Sequence, residues 1–412
     1  MKKFTVRLAV LFLVTATISA WAGESSLNMR VIWSGDARTQ AVIIWDTEQE
    51  QVNAVLRVGT RSGKYDRDVA VSEEGLYDEG GGSASEKSKK AKKPKKPKKP
   101  NISLFFHQVP LNNLKAGTTY YFSVKTPKGV SREYHFTSAP DDNRPFKLLF
   151  AGDSRTHIEI ARQMSSQFKT MVKEDPSIRA LLHGGDYANS PKRALWKEWL
   201  AAYNLTTSED GKLLPIIPVV GNHEAIKKSP LYGQAYGFPG EGKYYFTTKL
   251  SPEVAIVCLN TEISAEGNQK SFLKNELSKL RADKIKWQLT AYHRPIYAAV
   301  KKPSKGKVSW VPLFEEFNID LALESDGHCI KRTVPIRGGK EAADGIVYLG
   351  EGGYGAPQRT PKADRWFTQG DNSFTSQGDH VMILEFTDSE IHYSAVLLNG
   401  DIVDTQSFKS RR

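Results

Sequence analysis

Five short stretches of this sequence place carboxylates, imidazoles or an amide directly after apolar runs. FKLLFA leads into Gly152-Asp153-Ser154-Arg155, ALLH into Gly184-Gly185-Asp186-Tyr187, IIPVV into Gly221-Asn222-His223-Glu224, WQLTAY into His293-Arg294-Pro295, and IDLALES into Asp326-Gly327-His328. Each alone is a weak signal. A glycine and an aspartate after a strand usually make a turn or a helix cap, and a solitary histidine is usually a satisfied surface or core residue. Repeated along the chain, with hard oxygens and imidazoles mixed, the pattern is that of a metal-ligand set suited to Zn, Mn or Fe.

Such ligands converge only if the runs before them are strands of one layered structure. From about residue 142, apolar runs alternate with helical stretches in which Ala161, Met164, Phe168 and Met171, and later Leu273, Leu277 and Leu280, recur at helical spacing. Nearly continuous apolar strands between helices predict an α/β layer structure with a buried sheet, and sites in such sheets gather beyond the carboxyl ends of the strands. HVMILEF, IHYSAVLL and DIVDTQSF near the C-terminus read as closing antiparallel strands. Residues 23–141 carry no helical period. RVIWS, AVIIWDT, AVLRVGT, ISLFFHQV, TYYFSVKT and REYHFTS are rich in β-branched and aromatic residues and predict an all-β sandwich.

The chain has 412 residues, 39% hydrophobic and 25% charged, which is ordinary for a globular protein. Its formal charge of +12 invites a nucleic-acid reading, but three cations near the N-terminus and the nine lysines from Lys87 to Lys99 account for all of the excess. No specific nucleic-acid partner is expected. The lysines lie in a Gly, Ser, Lys and Pro-rich insertion, read as disordered over residues 73–100, whose alternatives are a solvated loop and a tether to an anionic cell-surface polymer. Lys2, Lys3 and Arg7 precede an apolar run ending in Ala20-Trp21-Ala22, the pattern of a signal peptide over residues 1–22. The expected protein is therefore secreted or periplasmic, with no transmembrane segment in its mature chain. Cys258 and Cys329 read as buried thiols in preference to a bridge.

The series GDSR, GGDY, GNHE, YHRP and DGH resembles that of the calcineurin-like metallophosphoesterases, specifically their purple acid phosphatase-like branch, and NNLKAGTTYYFSV is similar to the fibronectin type III-like segment preceding the catalytic domain there. The resemblance implies a four-layer αββα domain over residues 142–412 and a small phosphate ester as substrate. It implies two metal ions: the first on Asp153 and His328, the second on Asn222 and His293, with Asp186 bridging. His223 would face the leaving group and Glu224 would orient it. Such a metal pair neutralises phosphate and activates an attacking water.

Two departures stand out. Asp326 replaces the first histidine of the usual His-x-His, and still offers an oxygen to the second metal. At the first metal, Asn189 stands where the purple enzymes carry a tyrosine and Arg155 where other relatives carry a histidine, so no tyrosinate-iron colour is expected. Arg155 would instead contact a phosphate oxygen, with His157 and Asn189 as substitute ligands. Tyr354, in the late GEGGYGAP, is expected to face substrate. The expected activity is phosphomonoester hydrolysis; the alternatives are a phosphodiesterase and a non-catalytic surface protein with a decayed site.

Overall fold

The strand Phe146–Ala151 shows how the centre of the molecule is built. Phe146, Leu148 and Phe150 enter one hydrophobic core, while Leu149 and Ala151 enter another. A strand buried on both faces needs no polar alternation, which explains the unbroken apolar run FKLLFA.

The computed structural model describes residues 28–80, 102–238 and 242–411. A ten-stranded sheet runs in the order Ile402–Lys409, Glu390–Leu397, His380–Phe386, Phe146–Ala151, Ile178–His183, Ile216–Pro218, Arg30–Ile32, Ala41–Thr47, Phe105–Leu111, Glu73–Leu76. A seven-stranded sheet runs Phe246–Lys249, Val254–Cys258, Trp287–Tyr292, Leu321–Glu324, Val347–Gly350, Ile330–Arg332, Phe374–Ser376. The two share one core through residues such as Phe150, Leu182, Ile256, Leu289 and Leu323. Helices Ile158–Glu174 and Arg193–Tyr203 cover the outer face of the first sheet, and helix Asn268–Ala282 covers that of the second. This is the αββα arrangement, with Ala161, Met164 and Phe168 and with Leu273, Leu277 and Leu280 buried as their spacing predicts.

The N-terminal strands are all β. Val55–Gly59 and Thr119–Thr126 lie at the middle of a five-stranded sheet whose Leu56, Val58, Phe122 and Val124 face Val31, Trp33, Ile43 and Trp45 of the ten-stranded one. The N-terminal part is therefore joined edge to edge to the rest: Ile32 is paired in parallel with Ile216.

The expected disordered insertion over 73–100 is corrected at its start. Glu73–Leu76 is a strand paired with Phe105–Leu111, and Tyr77 is buried, its hydroxyl donating to Asp46 Oδ1 at 2.6 Å. An apolar Leu76-Tyr77 pair flanked by acidic residues is enough to add an edge strand, which the composition of the whole stretch concealed. The lysines from Lys87 to Lys99 and the N-terminal leader lie outside the described residues. Among the described residues no helix is long and apolar enough to cross a membrane. Cys258 and Cys329 are free, buried thiols, and burial raises the pKa of both.

Candidate active site

All five polar stretches emerge from the carboxyl ends of parallel strands: Phe146–Ala151, Ile178–His183 and Ile216–Pro218 in one sheet, Trp287–Tyr292 and Leu321–Glu324 in the other. The site thus straddles the common edge of the two facing sheets. To turn side chains back over that edge, Asp153, Asp186, Asp326 and His328 adopt positive φ of 58°, 61°, 66° and 60°, a conformation that non-glycine residues rarely take. Gly352, at φ 78°, passes so close to Asp153 that a Cβ there would collide with its carboxylate. Gly327, between Asp326 and His328, leaves room for the Glu351 carboxylate in the same way.

Asp153, Asp186, His293 and Asp326 each bring a donor atom within 4.8 Å of one another, and all four are buried. His293 Nε2 lies 3.2 Å from Asp186 Oδ1 and 3.5 Å from Asp326 Oδ1. Asn222 Oδ1 lies 3.3 Å from both His293 Nε2 and Asp326 Oδ1, an oxygen turned toward acceptors. Asp153 Oδ1 is buried without a hydrogen-bond donor, 3.2 Å from His328 Nε2. Backbone carbonyls fix the imidazoles: the Nδ1 of His293, His328 and His223 donates to Gly184, Pro357 and Asn189 at 2.8, 2.9 and 2.8 Å. In the neutral ring this leaves Nε2 with its lone pair aimed at the centre. Burial opposes a charge on His293, yet Asp186 and Asp326 hold its pKa well above the ordinary imidazole value. Burial likewise opposes the Asp326 charge, but His293 and Lys301 bring it down to about 2. Lone pairs and carboxylates facing one another with an unpaired buried oxygen make a cation site, so the residues present fit a metal.

Two family models match the chain: Purple acid Phosphatase, N-terminal domain, over residues 27–138, and Calcineurin-like phosphoesterase over residues 146–329. The chain belongs to the purple acid phosphatase-like phosphoesterases. An uncharacterized protein of Mycobacterium tuberculosis is 23% identical over 354 residues, covering 74% of this chain and 61% of that one. Purple acid phosphatase 15 of Arabidopsis thaliana is 20% identical over 294 residues, covering 60% and 53%. This chain thus spans about three fifths or less of the length of these relatives. Among solved structures, purple acid phosphatase PPD1 from yellow lupin (Lupinus luteus) seeds superposes with a TM-score of 0.75 at 15% identity, over 93% of this chain and 74% of that one. GAP50, the anchor in the inner membrane complex of Plasmodium, gives 0.52 at 15% identity, over 65% and 90%.

The family's centre is dinuclear, and here its two halves differ. Around the expected second position, Asp186, Asn222, His293 and Asp326 surround one another as described. Around the first, the Arg155 guanidinium intervenes: Nε donates to Asp186 Oδ2 at 3.0 Å, Nη1 to Asn189 Oδ1 at 3.3 Å, and Nη2 lies 3.4 Å from His328 Nε2. Asn189 therefore holds Arg155 and is not placed among the donor atoms; His157 is exposed at the start of the helix Ile158–Glu174.

Two assignments made from the sequence are corrected. Glu224 does not orient the His223 ring. Its carboxylate accepts from the backbone amides of Gly221, Asp186 and Tyr187 at 2.6, 3.0 and 3.0 Å, clamping the turn that carries Asp186, while Asn189 O orients His223. Burial and the Asp186 carboxylate push Glu224 up to about 8, against those amides, which favour its ionised form. Tyr354 does not face substrate. It is buried behind the site, sharing a hydrogen bond of 2.7 Å with Ser165 and packing on Phe168 and His183. One residue was missed. Lys301 is ion-paired with Asp326, from a loop with no strand-end pattern to mark it.

Proposed function

We propose that this chain hydrolyses phosphomonoesters with the help of bound metal. The observation that carries the reading is the convergence of Asp153, Asp186, Asn222, His293 and Asp326 beside an imidazole that solvent reaches: the His223 side chain is 29% exposed, its Nε2 3.8 Å from Asp186 Oδ2. Bound metal supplies Lewis acidity toward phosphate and a water of lowered pKa. The chain's own residues do the rest. Asp186, Asn222, His293 and Asp326 would hold the cation, and Glu224 keeps the Asp186 turn rigid. His223, anchored through Nδ1, can carry a proton on Nε2 and deliver it to the departing alkoxide. Arg155, with 11% of its side chain exposed, offers a guanidinium to a phosphate oxygen.

A cavity of about 1170 Å³ opens from Asp326, with Lys227, Arg294, Lys301 and Lys362 on its walls. Lys302 and Lys305 also line it, against Glu262, Glu266 and Asp326, and this excess of cations favours the dianion of a monoester over the monoanion of a diester. With p-nitrophenyl phosphate and bis(p-nitrophenyl) phosphate on the same preparation, the monoester should turn over faster; the reverse order would make the protein a diesterase. Asp186→Ala and His223→Ala should each abolish the metal-dependent rate. Equal residual rates in the parent and both variants would identify a contaminant and favour a non-catalytic role, the reading that the Arg155–Asp186 and Lys301–Asp326 ion pairs support. Export completes the proposal on sequence grounds.

A further inference from the structure

The two halves of the centre are filled differently by the chain itself. The donor atoms assigned to a first ion are those of Asp153, Asp186 and His328. Arg155 already stands against two of these residues, with Nε 3.0 Å from Asp186 Oδ2 and Nη2 3.4 Å from His328 Nε2. The guanidinium is held there from behind, Nη1 donating to Thr156 Oγ1 at 3.2 Å and Asn189 Oδ1 at 3.3 Å, while Thr156 Oγ1 donates to the same Asn189 oxygen at 2.9 Å. Metal–oxygen and metal–nitrogen bonds are about 2.0–2.2 Å, so an ion using these lone pairs would occupy the space and the role of the guanidinium. The position also lacks the tyrosine or histidine that would complete its shell.

The other half is less fully occupied. His293 Nε2 has Asp186 Oδ1, Asp326 Oδ1 and Asn222 Oδ1 at 3.2, 3.5 and 3.3 Å. Lys301 touches only the Asp326 oxygen of this set, from the rim, where its side chain is 31% exposed. Its Nζ pairs with Oδ1, the oxygen that faces His293 Nε2, but through that one contact and from a partly exposed side chain that can swing aside, whereas Arg155 is held by Asp186, Thr156, Asn189 and His328.

The geometry points to a mononuclear centre: one metal ion within reach of Asp153, Asp186, Asn222, His293 and Asp326, with the Arg155 guanidinium in place of the family's other ion. This deepens the phosphoesterase reading and rests on it for its catalytic meaning, but the stoichiometry stands by itself. Arg155 then serves twice, balancing Asp186 and presenting its remaining Nη2–H to an equatorial phosphate oxygen.

The test is metal content per chain after incubating chelator-stripped full-length protein with Mn²⁺ or Zn²⁺ and removing excess by gel filtration, with electron paramagnetic resonance on the Mn²⁺ form. The parent protein should hold one ion and give the signal of isolated Mn²⁺. His328→Ala should keep that ion, and His293→Ala should lose it. Arg155→His, which removes the guanidinium and adds an imidazole, should take up a second ion and give an exchange-coupled signal. Two ions in the parent protein, none at all, or loss of the ion in His328→Ala but not in His293→Ala would each overturn the assignment. Because metal content is read without substrate, a one-ion protein that hydrolyses no ester would reject the catalytic reading and leave this one standing.

Discussion

Asp153, Asp186, Asp326 and His328 are held in the left-handed region, where a non-glycine residue costs on the order of 1 kcal/mol or more. Strain concentrated at the strand ends, and absent from the strands they terminate, is what a site imposed on a stable frame looks like. A second cost is titratable. His380 is buried beside Gly353, and burial lowers its pKa to about 4, only partly offset by the Gly378 carbonyl that accepts from its Nδ1 at 2.9 Å. Its folded value lies below the value near 6.5 of an unfolded histidine. Between those limits the unfolded chain binds the proton more readily, so stability rises with pH there and is lost as pH falls from about 6.5 toward 4. The single group accounts for about 3 kcal/mol across that window. Urea unfolding at pH 7.5 and pH 4.5 should show His380→Gln losing less stability on acidification than the parent protein; an equal loss in both would remove His380 as the cause.

At the level of elements, the strand ends are stapled by a buried charge cluster. Lys331, on Ile330–Arg332, donates to Glu324 at the end of Leu321–Glu324, to Glu351 just after Val347–Gly350 at 2.8 Å, and to Tyr297 O at 2.8 Å; all three charged side chains are fully buried. Tyr292 OH and the Ile296 amide also donate to Glu324, at 2.7 and 2.6 Å, and the Ala299 amide donates to Glu351 at 2.7 Å. The loop that follows His293 is thereby tied to the strands that present Asp326 and His328. Lys331→Met would leave two buried carboxylates without their cation, and stability should fall by about 3–5 kcal/mol in urea unfolding. A loss under about 1 kcal/mol would mean that the carboxylates share a proton and need no lysine, in line with burial raising the Glu351 pKa. None of this was legible in the sequence, where IDLALES reads as a plain apolar strand. The metal-directed groups were legible because each follows its own strand, so that local order along the chain places it. Lys331 meets Glu351, and Arg155 meets Asn189, only across neighbouring turns and strands, and Tyr354 was misread because glycines describe a backbone and not the direction of the side chain between them.

At the scale of the whole molecule, strand types and helix faces follow from periodicity, but the union of the N-terminal strands with the strands that carry the site does not, since an edge pairing leaves no mark on composition. That union is extensive. Trp33 N donates to Ile216 O at 3.0 Å; Ala37 N to Lys249 O at 3.0 Å and Lys249 N to Gly35 O at 3.1 Å; His135 N to Gly211 O at 3.0 Å and Leu213 N to His135 O at 2.8 Å. The buried Arg30, paired with Asp46 at 2.7 Å, also donates through Nε to Ala235 O at 2.8 Å. Ile216 belongs to the strand that leads to Asn222 and His223, so the edge covered by Arg30–Ile32 supports the site directly. A fragment beginning at residue 142 would expose this edge and the apolar surface beneath Trp33 and Trp45, a template for pairing with other copies. It should be recovered mainly as aggregate, and any soluble part should unfold at lower urea and hold metal more weakly than the full chain. A monomeric fragment with the parent unfolding midpoint and metal content would show that the N-terminal strands are an attachment, and that the αββα layers stabilise the Asn222-His223 turn without them.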